Sequence, residues 1–211
     1  MLKELFVYTA CTAITLTATG CATFVAGAPE GTVDVIAHRG ASAYAPENTL
    51  ASFRLAHALD ADWFELDCTL SRDNEVIIIH DDSTDRTTGV KGLVSEMTLD
   101  ELKALDAGTW KEARFAGEPI PTLDETLDLA KDKLGVYIEI KNSADDEALM
   151  DQILAAAEGV KVWNGSLQQE TMGLIEQSDS RNLALTRACI DRVRTRKMEK
   201  QVVIQSFSPI I

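Results

Sequence analysis

Residues 63–70, WFELDCTL, alternate between two kinds of side chain. A strand has a side-chain period of two. Phe64, Leu66, Cys68 and Leu70 therefore share one face, and Trp63, Glu65, Asp67 and Thr69 the other. Glu65 and Asp67 point the same way, ~7 Å apart along the backbone. Residues 135–141, GVYIEIK, repeat the design: Val136, Ile138 and Ile140 lie on one face, Tyr137, Glu139 and Lys141 on the other. Two architectures produce such strands. One is an antiparallel sheet with a solvated face. The other is a barrel whose apolar face packs on helices and whose polar face points into the mouth.

The intervening segments favour the barrel. Short apolar runs at 33–37, 75–79 and 201–207 read as further strands, and 48–59, 99–105, 123–131 and 145–158 read as helices. Thr98 with Glu101 and Thr122 with Glu125 fit the capping box, in which cap and third residue satisfy each other's backbone N–H groups. The run at 75–79 is almost continuously apolar, as a parallel strand covered on both sides should be. Strands alternating with helices imply a parallel sheet with helical crossovers, either a closed (β/α)8 barrel or an open doubly wound sheet. No GxGxxG follows the first strand, which weighs against a dinucleotide fold. The connection at about 82–121 is long enough to be a lid or a small inserted subdomain. In the stretch 159–187, residues 160–163 and 183–186 read either as strands or as parts of an insertion around helices.

Composition narrows the chemistry. A net charge of −14 over 211 residues argues against nucleic acid as a partner. Cys11, Cys21, Cys68 and Cys189 show no CxxC spacing, so a zinc site is not expected. Residues 1–30 read as a targeting segment, with Lys3 ahead of an apolar stretch too short to span a bilayer. TATGC at 17–21 is similar to a bacterial lipoprotein cleavage box. The expectation is export to the periplasm or cell envelope, with Cys21 lipidated and anchoring the chain to the membrane. The remainder, 31–211, is expected to form one domain.

Glu65, Asp67 and Glu139 in one interior would repel strongly unless neutralised. All-oxygen ligation favours one hard divalent cation, Ca2+ or Mg2+. His38 and His80 each directly follow an apolar run, at the strand ends where barrels keep their chemistry. A histidine pair supplies both acid and base near neutral pH. His57 falls in mid-helix and reads as structural or surface. Arg39 and Lys141 beside these groups suit a phosphate ester, since a guanidinium forks onto phosphate oxygens and an ammonium adds a point charge.

HRGASAYAPENT, FELDCTL, IIHDDSTDRTTG and IEIK, in this order over 35–141, with VVIQSFSP at 202–209, resemble the glycerophosphodiester phosphodiesterases. The resemblance implies a (β/α)8 barrel with a small subdomain inserted after the third strand. It implies hydrolysis of glycerophosphodiesters to an alcohol and glycerol 3-phosphate. Carried over by motif, His38 and His80 become the acid/base pair, Glu65, Asp67 and Glu139 metal ligands, and Arg39 and Lys141 phosphate contacts. Glu47 and Asn48 of PENT are expected on the same rim, and Gly40 is expected to let the chain turn there. Cys68 departs from the usual residue and is expected to be a buried, inert thiol. The run at 201–207 resembles the fifth strand of eight, so the closing strands are expected to be absent from this chain. Other readings are a lysophospholipase D or phospholipase C-like enzyme of the same superfamily, or a lipoprotein that holds a phosphodiester with little turnover. Oligomeric state is not encoded in these patterns.

Overall fold

The computed structural model describes residues 33–141 and 180–206. Its elements are β1 (Ile36–Ala37), α1 (Leu50–Ala58), β2 (Trp63–Leu70), β3 (Val76–Ile78), α2 (Asp85–Thr88), α3 (Leu99–Lys103), α4 (Leu123–Ala130), β4 (Gly135–Ile140), α5 (Arg181–Arg196) and β5 (Val202–Ser206). Single 3-10 turns at Val94–Glu96 and Ala113–Phe115 lie within the connection between β3 and α4. The N-terminal targeting segment with Cys21, the expected helix at 145–158 and the strand reading of 160–163 fall outside the described residues. Among the described residues no helix is long and apolar enough to cross a membrane.

Four strands are parallel neighbours in the order β1-β2-β4-β5. The order follows the chain without reversal, as in a (β/α)8 barrel. A doubly wound sheet would reverse it at a switch point. The outward faces of β2 and β4 carry Phe64, Leu66, Cys68, Val136, Ile138 and Ile140, all buried. They pack on Phe53 of α1, Leu123 and Leu127 of α4, and Leu185 and Cys189 of α5. Phe53 stacks on Phe64 with ring centroids 4.3 Å apart. Both expected capping boxes form, and a third, Thr49 with Ser52, starts α1.

β3 corrects the parallel assignment. It runs antiparallel to β2, with Cys68 opposite Ile78 and Leu70 opposite Val76. A tight turn closes the hairpin, where Ser71 N–H donates to the Glu75 carbonyl at 2.9 Å. The run is apolar throughout because its two faces enter two different cores. Val76 and Ile78 join the main cluster. Ile77 and Ile79 join a second one with Val94, Leu102, Ala107 and Ile120. The connection after β3 thus packs around a small apolar cluster of its own. Residues 183–186, which also read as a strand, lie inside α5. Leu183, Leu185, Cys189 and Val193 are buried along that helix, so its apolar face serves helix–sheet packing.

Candidate active site

The interior faces of β2 and β4 are layered along the strands. Trp63 and Tyr137 make an edge-to-face pair, centroids 5.2 Å apart, at the N-terminal end. Gly135, opposite Trp63, leaves room for the indole, since a Cβ there would lie 1.8 Å from a ring carbon. Two residues further on come the carboxylates. The register pairs Asp67 with Glu139 across the two strands. Glu65, Asp67 and Glu139 each present an oxygen, and these lie within 4.8 Å of one another.

Loop residues after β1 close over this cluster. Arg39 and Asn48 both adopt left-handed backbone, each with φ 55°. Gly40 follows with φ 75°, and a Cβ there would lie 2.4 Å from Ser52 Oγ, so only glycine fits. The turn aims Arg39 N–H at Glu65 Oε2, 2.9 Å away. Arg39 Nε stands 3.3 Å from Asp67 Oδ2, and its NH1 donates to Glu47 Oε1 at 3.0 Å. Lys141 Nζ lies 3.1 Å from Asp67 Oδ1 and donates to Glu139 Oε1 at 2.7 Å. Burial alone would lower the Lys141 ammonium, but Glu139 and Asp67 outweigh it and raise its pKa.

Asp67 is also gripped by Asn48, whose Nδ2 donates to Oδ2 at 2.9 Å. Asn48 Oδ1 accepts from Asp67 N–H at 3.3 Å. Glu65 is less well served. Among the described residues its buried Oε1 has no hydrogen-bond partner. Burial first, then the Asp67 charge, push its pKa up to about 7. An orphaned carboxylate oxygen inside an all-oxygen cluster fits a hard divalent cation.

The histidines differ in their support. His38 is 71% exposed, its Nε2 3.9 Å from Glu65 Oε2. His80 reaches the site by a route other than the one expected. It follows an antiparallel strand, and the hairpin folds it back so that Ile79 N–H donates to the Asp67 carbonyl at 3.1 Å. Its ring nitrogen Nδ1 lies 2.6 Å from Asp81 Oδ1. Arg86 then joins Asp81 to Glu47, donating to both. The Arg86 bond, with lesser help from His80, holds the Asp81 carboxyl down at about 2.

A cavity of about 330 Å³ opens beside His80 and Lys141, walled also by Thr69, Leu93, Ser95 and Asn182. His57 is exposed on α1, apart from these groups. Cys68 is buried against the helix layer, its sulfur 3.8 Å from that of Cys189, and its thiol pKa is raised by that contact and by burial.

The structure therefore brings together His38, Arg39, Glu65, Asp67, Glu139 and Lys141, with His80 alongside. Sequence reasoning placed Glu47 and Asn48 on the rim without a contact to assign them, and passed over Asp81 and Arg86. Asp81 and Arg86 stand inside IIHDDSTDRTTG, the stretch quoted for His80, where adjacency to a histidine was the available signal.

Residues 38–210 match the sequence profile of the Glycerophosphoryl diester phosphodiesterase family. The chain is 51% identical over 109 residues to a glycerophosphodiester phosphodiesterase of Caldanaerobacter subterraneus, covering 51% of this chain and 45% of that protein. It is 36% identical over 135 residues to the glycerophosphodiester phosphodiesterase of Bacillus subtilis, covering 60% and 46%. The crystal structure of glycerophosphodiester phosphodiesterase from Agrobacterium tumefaciens superposes with a TM-score of 0.59 at 30% identity, covering 84% of this chain and 59% of that one. A phosphodiesterase of Oleispira antarctica, solved with the product sn-glycerol-3-phosphate, superposes with a TM-score of 0.52 at 26% identity, covering 84% and 94%. The chain spans about half the length of the curated relatives it matches. With the profile matched over most of its length, the chain belongs to the glycerophosphoryl diester phosphodiesterase family.

Proposed function

We propose that this chain carries the catalytic face of a metal-dependent enzyme that hydrolyses glycerophosphodiesters to an alcohol and glycerol 3-phosphate. The observation that carries the reading is the cluster of Glu65, Asp67 and Glu139, with an orphaned oxygen on Glu65, flanked by Arg39 and Lys141. Glu65, Asp67 and Glu139 would hold one Ca2+ or Mg2+. Bound there, the cation would neutralise charge on the phosphoryl oxygens.

The chain's own groups supply the rest. Arg39 and Lys141, the cationic donors nearest the carboxylates among the described residues, orient the phosphate and offset the charge that develops on it. One histidine removes a proton as an oxygen nucleophile bonds to phosphorus. The other protonates the leaving alcohol oxygen as its bond to phosphorus breaks. Asp81 on Nδ1 of His80 favours the tautomer with Nδ1 protonated, leaving Nε2 to exchange the proton. The cavity beside His80 and Lys141 gives one ester substituent somewhere to lie. Residues 31–211 are read as one catalytic domain carrying the insertion at about 82–121. Export and lipidation at Cys21 belong to the same proposal, supported by TATGC alone.

The test is turnover of glycerophosphocholine by the purified chain, with products identified by phosphorus NMR, before and after chelation. Glycerol 3-phosphate formed only with divalent ion supports the reading. Tight binding of the diester without product, or full turnover in chelator, sinks it.

A further inference from the structure

The geometry points to Arg86 as a positioning residue that holds the His80 side and the Arg39 side of the site in register; this rests on the phosphodiesterase reading above. Arg86 lies on α2, in the insertion, and its guanidinium forks onto two carboxylates at once. Nε donates to Asp81 Oδ2 at 2.6 Å, and NH2 reaches Asp81 Oδ1 at 3.2 Å. NH1 donates to Glu47 Oε2 at 3.0 Å and NH2 to Glu47 Oε1 at 2.7 Å.

Each carboxylate passes the constraint on. Asp81 holds Nδ1 of His80 at 2.6 Å. Glu47 accepts from Arg39 NH1 at 3.0 Å, and Arg39 Nε faces Asp67. One unbroken series of hydrogen bonds and ion pairs thus runs His80, Asp81, Arg86, Glu47, Arg39, Asp67. Its middle link joins residues 39 positions apart, from the loop after β1 and the insertion after β3. Without Arg86 this series of side-chain contacts breaks between Asp81 and Glu47.

The donor inventory argues against a direct role on substrate. A guanidinium has five N–H groups, and four contacts with carboxylate oxygens already engage Arg86. Its side chain is 41% exposed, so these ion pairs are partly screened and their weight in global stability is small. Their effect falls on geometry: a carboxylate that orients a histidine ring works only while its own rotamer is fixed. Arg86 stands to His80 as a supporting partner stands to a metal-bound histidine, where removal typically costs ~10–100-fold.

The experiment compares Arg86→Gln and Arg86→Lys with wild type on glycerophosphocholine. It adds 15N spectra of the His80 ring, assigned with His80→Gln. Arg86→Gln is expected to lower kcat ~10–100-fold while KM stays within about twofold, the pattern of lost transition-state geometry. The His80 ring is expected to pass from the single Nδ1–H tautomer to a mixture. Arg86→Lys keeps the charge but cannot fork onto two carboxylates, so it should recover only a small part of the loss. A rise in KM with kcat unchanged would place Arg86 on the substrate and overturn the inference. So would full recovery by lysine, or an unaltered His80 ring in both variants. If Arg86→Gln does not fold, Arg86→Lys and its ring spectrum decide. If wild type itself does not hydrolyse the diester, the proposed function fails, while the ring spectra still decide the role of Arg86.

Discussion

Asn48→Ala removes a clamp on the most buried carboxylate of the site. The Asn48 amide donates to Asp67 Oδ2 at 2.9 Å and accepts from Asp67 N–H at 3.3 Å, so a single amide orientation serves both bonds. The Asp67 carbonyl is taken by Ile79 N–H, and alanine at 48 would leave the Asp67 N–H buried without this acceptor. A stranded buried donor costs ~1–3 kcal/mol, and a bond to a charged group contributes ~1.5–3 kcal/mol. Arg39 and Lys141 still face Asp67 and absorb part of the second loss. Alanine must also hold φ 55°, where Asn is tolerated; that adds ~1 kcal/mol. The net expectation is a loss of about 3–4 kcal/mol for Asn48→Ala. Asn48→Gly loses the same bonds without the backbone strain and should be better than alanine by up to ~1 kcal/mol. With a urea slope of ~2 kcal/mol/M, the alanine midpoint falls by roughly 1.5–2 M. The assay is urea unfolding of the three proteins in chelator, followed by calorimetric Ca2+ titration, where affinity should drop ~10–100-fold in both variants. Glycine as stable as wild type would refute the clamp. Alanine equal to glycine would refute the backbone term.

Other outcomes follow from the same geometry. In chelator, the folded Glu65 carboxyl titrates at about 7 against 4.5 for the unfolded chain, so the folded state binds more protons between those values and stability falls as pH rises through them. The full drop is on the order of 3 kcal/mol; Glu65→Gln should abolish it, and unfolding midpoints across this range that do not move would contradict the burial of that charge. His38→Ala and His80→Ala should each cut turnover by ~10²–10⁴-fold, whereas His57→Ala should change little; equal sensitivity of His57 would mean the rim is misplaced. Gly135→Ala drives a methyl into the Trp63 ring and should destabilise by ~1–3 kcal/mol; an unchanged melting temperature would show that the indole can move aside.

Some of this protein is local and was therefore readable from its residues in order. The period-two alternation of β2 and β4 encodes which side chains face inward, and Glu65, Asp67 and Glu139 are found there because pleat geometry allows nothing else. Thr98 with Glu101 and Thr122 with Glu125 encode helix starts for the same reason, since cap and partner lie three residues apart. The direction of β3 was not encoded in this way. A continuous apolar run states that both faces are buried, but not against what, and only the packed connection after β3 shows that Ile77 and Ile79 enter a second core. The left-handed turns at Arg39 and Asn48 were equally hidden, because neither residue type demands φ 55°; the contacts with Glu65 and Asp67 over-determine it. Most dependent on tertiary structure is the link from Arg86 to Glu47. Attraction between unlike charges has no sequence period, and any of the chain's many carboxylates could have met that guanidinium. The choice was made when the hairpin carried His80, Asp81 and the segment with Arg86 back over the loop that follows β1.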